Sequence, residues 1–502
     1  MQLRPVLLVL TGLFVSTLAN AQVQVDYNWW DPTANSFPVI DGQAWPGEVQ
    51  APYDRFPARA EKTLNPDVWE LSHNSAGLYI KFKTNAQDLV VRYVLKGNSA
   101  LPQMPATGAN GVDLYAIDIH GNWVWAPGRF TFGDTVEYRF PSLKVGEGGP
   151  EKNFEYRLYL PLYNSVQWLR IGKPKGKRFT PMPLSPEKPV VVYGTSITQG
   201  GCATRPGLAW TSLLQRKLDI PLYNLGFRGS GKLESSVIDL ITEIDAKLYV
   251  LDCLPNMTPS GGFSAEELEK RLVAAVNEIR LKRPFTPILL VDHSGGGTDH
   301  IIDTSVYNDF ASVNEGFHKV FARLIAEGFK GIYTLSNQEI GLDINSTVDG
   351  VHPNDFGMIR YADAYEKKIR FILDEPSGSI STTIPVVQSR DYIGTNNLGI
   401  NSDPEIIAGL KMLIQAVKVR QPSATILLSG ILPRHGMEER IVLLNKNISR
   451  LAADRKLVFI DPGKVLLTGR GKIDESLFPD GVHPNAAGYE RLAPVLASYL
   501  KD

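Results

Sequence analysis

Apolar and polar positions alternate with a period of two from about residue 22 to 185, and Pro and Gly repeatedly break the alternation. The stretches GLYIKFKT, DLVVRYVL, DLYAIDIHGNWVW, FEYRLYLPL and VQWLRIG read as half-buried strands, which predicts a β-sandwich over 22–185. At Lys188 the texture changes. Continuous apolar runs (KPVVVYG, KLYVLD, TPILLVDHS, GIYTLSNQ) alternate with helix-period stretches such as EELEKRLVAAVNEIRLKRP and NDFASVNEGFHKVFARLIAEG. That order predicts a parallel α/β sheet over 186–375. Linker-like sequence follows at 376–391.

Behind the linker, PEIIAGLKMLIQAVKVRQP, ATILLSGIL, EERIVLLNKNISRLAADR and KLVFIDPG repeat the helix–strand order found behind Asn256. The hexapeptide DGVHPN closes both series, at 349–354 and at 480–485. Together these mark a duplication at domain scale. The second copy, 392–502, begins at IGTNN and has no counterpart of the first strand, its turn or the Gly-rich loop after it. It is therefore predicted to be a truncated, non-catalytic half-domain.

Composition changes the picture little. With 502 residues and a net charge of -1, the chain holds several domains and offers no electrostatic attraction to nucleic acid or an anionic membrane. The N-terminus carries Arg4, the apolar run PVLLVLTGLFVSTL and the small-x-small site Ala19-Asn20-Ala21, so 1–21 reads as a cleavable signal peptide. The run is too short to favour a membrane span, and no Cys follows the cleavage site to take a lipid. A secreted or periplasmic protein is expected.

The chemistry gathers at strand ends, where open α/β sheets place their sites. KPVVVYGTSITQGG puts Ser196 in the turn after the first apolar strand. NLGFRGSG supplies Gly229 after the second, and DCLPN supplies Asn256 after the third. The first DGVHPN supplies Asp349 and His352. A serine hydroxyl becomes nucleophilic only when a base takes its proton, and His352 is the candidate base, with Asp349 orienting the imidazole. The developing oxyanion needs donors, which the backbone N–H groups of Ser196 and Gly229 and the Asn256 amide can supply; losing one costs roughly a hundred- to a thousandfold in rate. Neither the Walker loop nor the GxGxxG pattern is present. His73, His120 and His318 show no metal spacing, so no metal is expected. His293 and His300 lie near a strand end, where they read as solvated loop histidines ahead of the alternative that they line the pocket; Arg205 and Trp210 follow the nucleophile turn as residues to shape the pocket, with a core role the equal alternative for Trp210.

The ordered set of Ser196 in GTSIT, Gly229 in NLGFRGSG, Asn256 in DCLPN and Asp349/His352 in DGVH resembles the SGNH (GDSL-like) hydrolases. GVDLYAIDIHGNW resembles the GxDLY domain that precedes one branch of them. The resemblance implies a three-layer α/β/α, flavodoxin-like domain that hydrolyses carboxylic esters without metal or cofactor, preceded by the β-sandwich and followed by a partial second unit. With export and an appended β-domain, it implies acyl groups, commonly acetyl, as cargo and acylated carbohydrate as the partner. Thr195 departs from the Asp of the GDS form, and DCLPN departs from GxND. In the second unit GTNN, GILPR and DGVHPN resemble the platelet-activating-factor acetylhydrolase branch, with Asn396, Asp480 and His483 as remnants and no nucleophile. In the sheet order 2-1-3-4-5 the first and third strands are neighbours, so a disulfide between Cys202 and Cys253 is expected in an exported protein.

Two other functions use the same features. A lipase, lysophospholipase or thioesterase would employ the same triad with an apolar acyl groove. A non-catalytic glycan-binding protein would rest on the tryptophans, seven of eight of which precede Ser196. Most of these are expected in the sandwich core, with the Trp29-Trp30 pair as the candidate sugar platform.

Overall fold

The computed structural model describes residues 26–97, 100–118, 121–144, 154–295, 301–373, 398, 402–420, 426–469, 471–479, 481–482 and 484–499. The expected signal peptide and linker lie outside these residues, as do His120, His300, Asn396, Asp480 and His483. Two compact units divide the chain, one of residues 1–213 and 221–360, the other of 214–220 and 361–502.

The first unit opens with β1 (Tyr27–Trp30), β2 (Ile40–Asp41), α1 (Pro66–Ser72), β3 (Tyr79–Thr84), β4 (Leu89–Leu95), α2 (Ala106–Ala109), β5 (Asp113–Ile117) and β6 (Trp123–Ala126). Next come β7 (Arg129–Thr131), β8 (Val136–Phe140), β9 (Phe154–Tyr159), β10 (Val166–Pro174) and β11 (Phe179–Pro181). Antiparallel pairing gives two sheets, β1-β10-β4-β8-β7 and β11-β3-β9-β5-β6, with β2 joined to β3. Period-two alternation dictates which side chains meet. Along β4, Leu89, Val91 and Tyr93 enter a core shared with Ile80, Leu114 and Leu158 of the other sheet, while Arg92 points away and pairs with Glu137. Each buried Leu or Val there contributes on the order of 2 kcal/mol.

Tryptophan does not fill that core. Trp30 borders it, Trp45 and Trp69 pack on the α/β side, and Trp29, Trp125 and Trp168 stay 38%, 47% and 38% exposed. The indole N–H is one reason: a buried one needs an acceptor, which Trp45 finds in Glu243 at 2.9 Å.

The α/β region runs β12 (Val190–Gly194), α3 (Ser196–Gln199), α4 (Trp210–Leu218), β13 (Leu222–Gly226), α5 (Ser235–Ile241) and β14 (Leu248–Asp252). It continues with α6 (Ala265–Lys282), β15 (Ile288–Val291), α7 (Thr304–Ala326), β16 (Ile332–Leu335), α8 (Asn337–Ile340) and α9 (Asp355–Ile372). The strands are parallel in the order β13-β12-β14-β15-β16, which is the 2-1-3-4-5 order anticipated. Every residue of β12 and β14 is buried, so both sheet faces are covered and the strands read as unbroken apolar runs. The long α6 starts at the N-cap Ser264, carries Glu266 and Glu267 in its first turn and buries Leu268, Leu272, Ala275, Val276 and Ile279 along one stripe.

As the edge strand, β13 would leave outward carbonyls bare. Arg55 of the β-domain covers them: its Nη1 donates to the carbonyls of Asn224 and Gly226 at 3.1 and 2.8 Å, and its guanidinium lies 4.7 Å over the Phe227 ring. Burial lowers the Arg55 pKa to about 9.

In the second unit α10 (Asp403–Arg420), β17 (Leu427–Ser429), α11 (Glu438–Asp454), β18 (Val458–Ile460) and α12 (Ala486–Ala497) follow in turn. β17 and β18 pair in parallel over a core that includes Ile406, Ile414, Leu428, Ile441, Leu444 and Ile448. The duplication extends to individual bonds. Asn314 on α7 brackets His293, accepting from its N–H at 2.7 Å and donating to its carbonyl at 3.0 Å; Asn445 on α11 does the same to Ile431, at 2.7 and 3.0 Å. Asn354 caps its helix at Gly357 and donates to the Asn345 carbonyl at 2.7 Å, while Asn485 caps at Gly488 and donates to Ser476 at 2.8 Å.

Candidate active site

β12 ends at Gly194, and the chain turns at once into α3, a helix of four residues. Thr195 is its N-cap, with the side-chain oxygen accepting from the Ile197 N–H at 3.3 Å, and Gly200 ends it at a φ of 104°. Thr fills a role that Asp also fills well, which explains why the GTS form holds this turn. Ser196 stands at the first helical position, 7% exposed. Its carbonyl accepts from the Gly201 N–H at 2.8 Å and from the Tyr163 hydroxyl of the β-domain at 2.9 Å. Trp210, fully buried, donates from Nε1 to the Ile197 carbonyl at 3.0 Å and so belongs to the core beneath the turn.

Ser196 Oγ lies 2.8 Å from His352 Nε2, and His352 Nδ1 lies 2.7 Å from Asp349 Oδ2. With Asp349 accepting from Nδ1–H, the Nε2 lone pair faces the serine hydroxyl. The other Asp349 oxygen accepts from the backbone N–H groups of Val351 and His352 at 3.1 and 2.8 Å, so the DGVH turn fixes both side chains in register. Partial burial pushes the Asp349 carboxyl up, but the His352 backbone and ring N–H groups, the His352 charge and the Val351 N–H outweigh it. The net pKa lies below the ordinary carboxylate value.

Gly229 has a φ of 69°, a left-handed conformation that glycine adopts without strain. Neither that N–H nor the Ser196 N–H finds an acceptor among the described residues. Asn256 is differently placed. Its amide donates to the carbonyls of Phe227 and Gly231 at 3.4 and 3.3 Å, long bonds that brace the Gly229 loop from behind. The sequence did not single out Gln199, whose buried side chain receives the Arg228 N–H at 3.0 Å and donates to Asn74 and the Leu162 carbonyl at 3.0 and 3.1 Å. An amide three residues after the nucleophile, within GTSITQGG, was the available signal. The arrangement can remove a proton from the Ser196 hydroxyl, and it leaves the Ser196 and Gly229 N–H groups as donors without an acceptor among the described residues.

Residues 187–370 match the GDSL-like lipase/acylhydrolase family, and 392–491 match a second model of the same description. Residues 27–179 match the N-terminus of Esterase_SGNH_hydro-type. A solved structure from Bacteroides ovatus, assigned by name to the GDSL-like lipases, is 30% identical at a TM-score of 0.62, over 70% of this chain and 98% of its own. The chain belongs to the GDSL-like lipase/acylhydrolase family. This SGNH hydrolase, a carboxylic ester hydrolase, also shares its fold with the salicylyl-acyltransferase SsfX3 of a tetracycline biosynthetic pathway. That structure is 20% identical at a TM-score of 0.54, over 69% of this chain and 97% of its own. The alpha1 subunit of platelet-activating factor acetylhydrolase IB from Homo sapiens is 27% identical over 114 residues, 22% of this chain. The hydrolase spans about half of that relative, 49% of its length.

The expected disulfide is not formed: Cys202 and Cys253 are both free and buried. The sheet order does make their loops neighbours, but the side chains diverge. Cys253 turns into the apolar core and donates to the Tyr193 carbonyl at 3.7 Å, whereas Cys202, at a φ of 72°, lies within electrostatic reach of Asp349. Burial, with the Asp349 charge adding to it, pushes the Cys202 thiol up to about 12. His293 is likewise not a solvated loop residue but 1% exposed, stacked 3.9 Å from the Phe310 ring. No described helix of the hydrolase is long and apolar enough to cross a membrane.

Proposed function

We propose that this hydrolase is exported and removes short acyl groups, acetyl foremost, from carbohydrate through an acyl-enzyme on Ser196. The observation that carries the mechanism is the hydrogen-bonded chain from Asp349 through His352 to Ser196 Oγ, 2.7 and 2.8 Å long. His352 takes the Ser196 proton as Oγ attacks the ester carbonyl. The tetrahedral oxyanion is held by the N–H groups of Ser196 and Gly229, with Asn256 joining when its long bonds to the loop exchange for the ligand. His352 returns the proton to the departing alcohol, and water, deprotonated by the same imidazole, then releases the acid.

The sugar is inferred from Trp29, Trp125 and Trp168, which the β-domain leaves exposed, and acetyl is the acyl group that the resemblance to exported, β-domain-bearing SGNH enzymes implies. Export is inferred from the first 21 residues. A fluorophosphonate probe is expected to label the wild type on Ser196 and to leave Ser196→Ala unmodified; labelling of the variant would overturn the assignment. On a series of 4-nitrophenyl esters, activity is expected to fall from acetyl to longer chains, with acetate released from acetylated xylan or glucomannan. A rise with chain length would instead favour a lipase.

A further inference from the structure

The loop between α3 and α4 touches the β-domain on one side and the His352 turn on the other. On the β-domain side, the Asp113 carboxylate is 4% exposed. Its Oδ2 accepts from Arg205 Nη1 at 2.7 Å and from the Gly207 N–H at 3.1 Å, and its Oδ1 accepts from Trp125 Nε1 at 2.7 Å. Arg205 Nη1 also donates to the Tyr115 hydroxyl at 2.5 Å, and the guanidinium lies 4.1 Å from the Trp125 ring. Gly207 sits so close that a Cβ would fall 2.2 Å from the Tyr115 ring and 2.6 Å from Asp113 Oδ2. Thr107 donates to the Thr204 carbonyl at 2.7 Å.

On the other side, Thr204 donates from its N–H and its hydroxyl to the two Asp355 carboxylate oxygens, at 2.9 and 2.5 Å. Asp355 begins α9 and stands three residues after His352. A single short loop thus joins a buried carboxylate of the GVDLY segment to the chain that carries the catalytic histidine. Burying a charge is costly unless it is paired and fully hydrogen-bonded, as Asp113 is.

We propose that Asp113 and Tyr115 of GVDLY are positioning residues for His352, acting through Arg205, Gly207 and the Thr204–Asp355 bonds. The proposal rests on the catalytic reading above. The DGVH turn sets His352 against Asp349 but not against Ser196, which belongs to another strand end; the loop supplies that second constraint. A displacement of about 1 Å at a catalytic group costs roughly a hundredfold in rate.

The test is kinetic, on 4-nitrophenyl acetate, with sites counted by fluorophosphonate labelling. Asp113→Asn and Asp355→Ala are each expected to lower kcat per labelled site at least tenfold while KM changes less than twofold. The double variant is expected to be no slower than the slower single one, because both cut the same connection. Asp355→Ala and Thr204→Val leave the Asp113–Arg205 pair in place, so they decide the matter if Asp113→Asn does not fold. If Asp355→Ala keeps kcat within twofold, or the two effects multiply, the clamp is refuted while the triad stands. If the wild type fails to label on Ser196, the catalytic reading falls and the clamp falls with it.

Discussion

His352 and His293 both follow strands of one sheet, and their surroundings give them opposite chemistry. His352 has a carboxylate on Nδ1 and a hydroxyl on Nε2, so its proton has somewhere to come from and somewhere to go. His293 accepts the Gly295 N–H on Nδ1 at 3.0 Å, which places its hydrogen on Nε2, where no acceptor lies among the described residues. Burial lowers its pKa to about 4. An unfolded histidine titrates near 6.5, so the unfolded chain binds the proton first as pH falls. The contribution to stability is complete above about pH 6.5 and is lost toward pH 4, a difference on the order of 3 kcal/mol. His293→Gln is expected to flatten that part of the pH profile, measured as the thermal midpoint at pH 7 and pH 4 in both proteins; parallel profiles would contradict it. The burial of His293 was not legible in VDHSGGG, because Phe310 and Asn314, which enclose it, come from the next helix. The triad was legible, because Asp349 and His352 lie within one turn and Ser196 marks a strand end. The cysteines show the limit of that reading: topology sets which loops meet, but not which way a side chain leaves its strand.

At the scale of elements, the strands were the most legible part, since burial on both faces writes β12 and β14 as continuous apolar runs. Helix starts were less so. The stretch read as beginning near Asn308 begins at Thr304, because Asp303 caps it by accepting from the Ser305 and Val306 N–H groups at 2.9 and 3.3 Å. The latch from α7 to the end of β15, repeated from α11 to the end of β17, satisfies one buried N–H and one buried carbonyl in each copy. Removing it leaves both without partners, at about 1–3 kcal/mol for each group. Asn314→Ala is therefore expected to lower the stability of the first unit and, through it, the thermal limit of esterase activity. Asn445→Ala is expected to destabilise the second unit and leave activity at 25 °C within twofold. Differential scanning calorimetry with a parallel activity assay separates the two; loss of activity in Asn445→Ala would show that the second unit serves the reaction.

For the whole molecule, the repeated DGVHPN raises the choice between two bases. Ser196 has His352 at 2.8 Å within its own unit. His352→Ala and Asp349→Ala are accordingly expected to reduce hydrolysis of 4-nitrophenyl acetate by a thousandfold or more, whereas His483→Ala and Asp480→Ala leave it within a few-fold, all four checked for folding by circular dichroism. Inactivity of His483→Ala alone would assign the base to the second copy. Domain order was legible from the change of period at Lys188, but the dependence of one domain on the other was not, because it runs through single side chains far apart in sequence. Arg55 is the plainest of these. Its guanidinium is fully buried against the carbonyls of β13, which makes the boundary between sandwich and sheet a poor place for ancestry to cut. A crossover that carried the hydrolase segment alone into another gene would deliver a sheet with a naked border. One that carried the sandwich alone would expose an unsatisfied cation. The two segments are therefore expected to be inherited as a pair, gained or lost together.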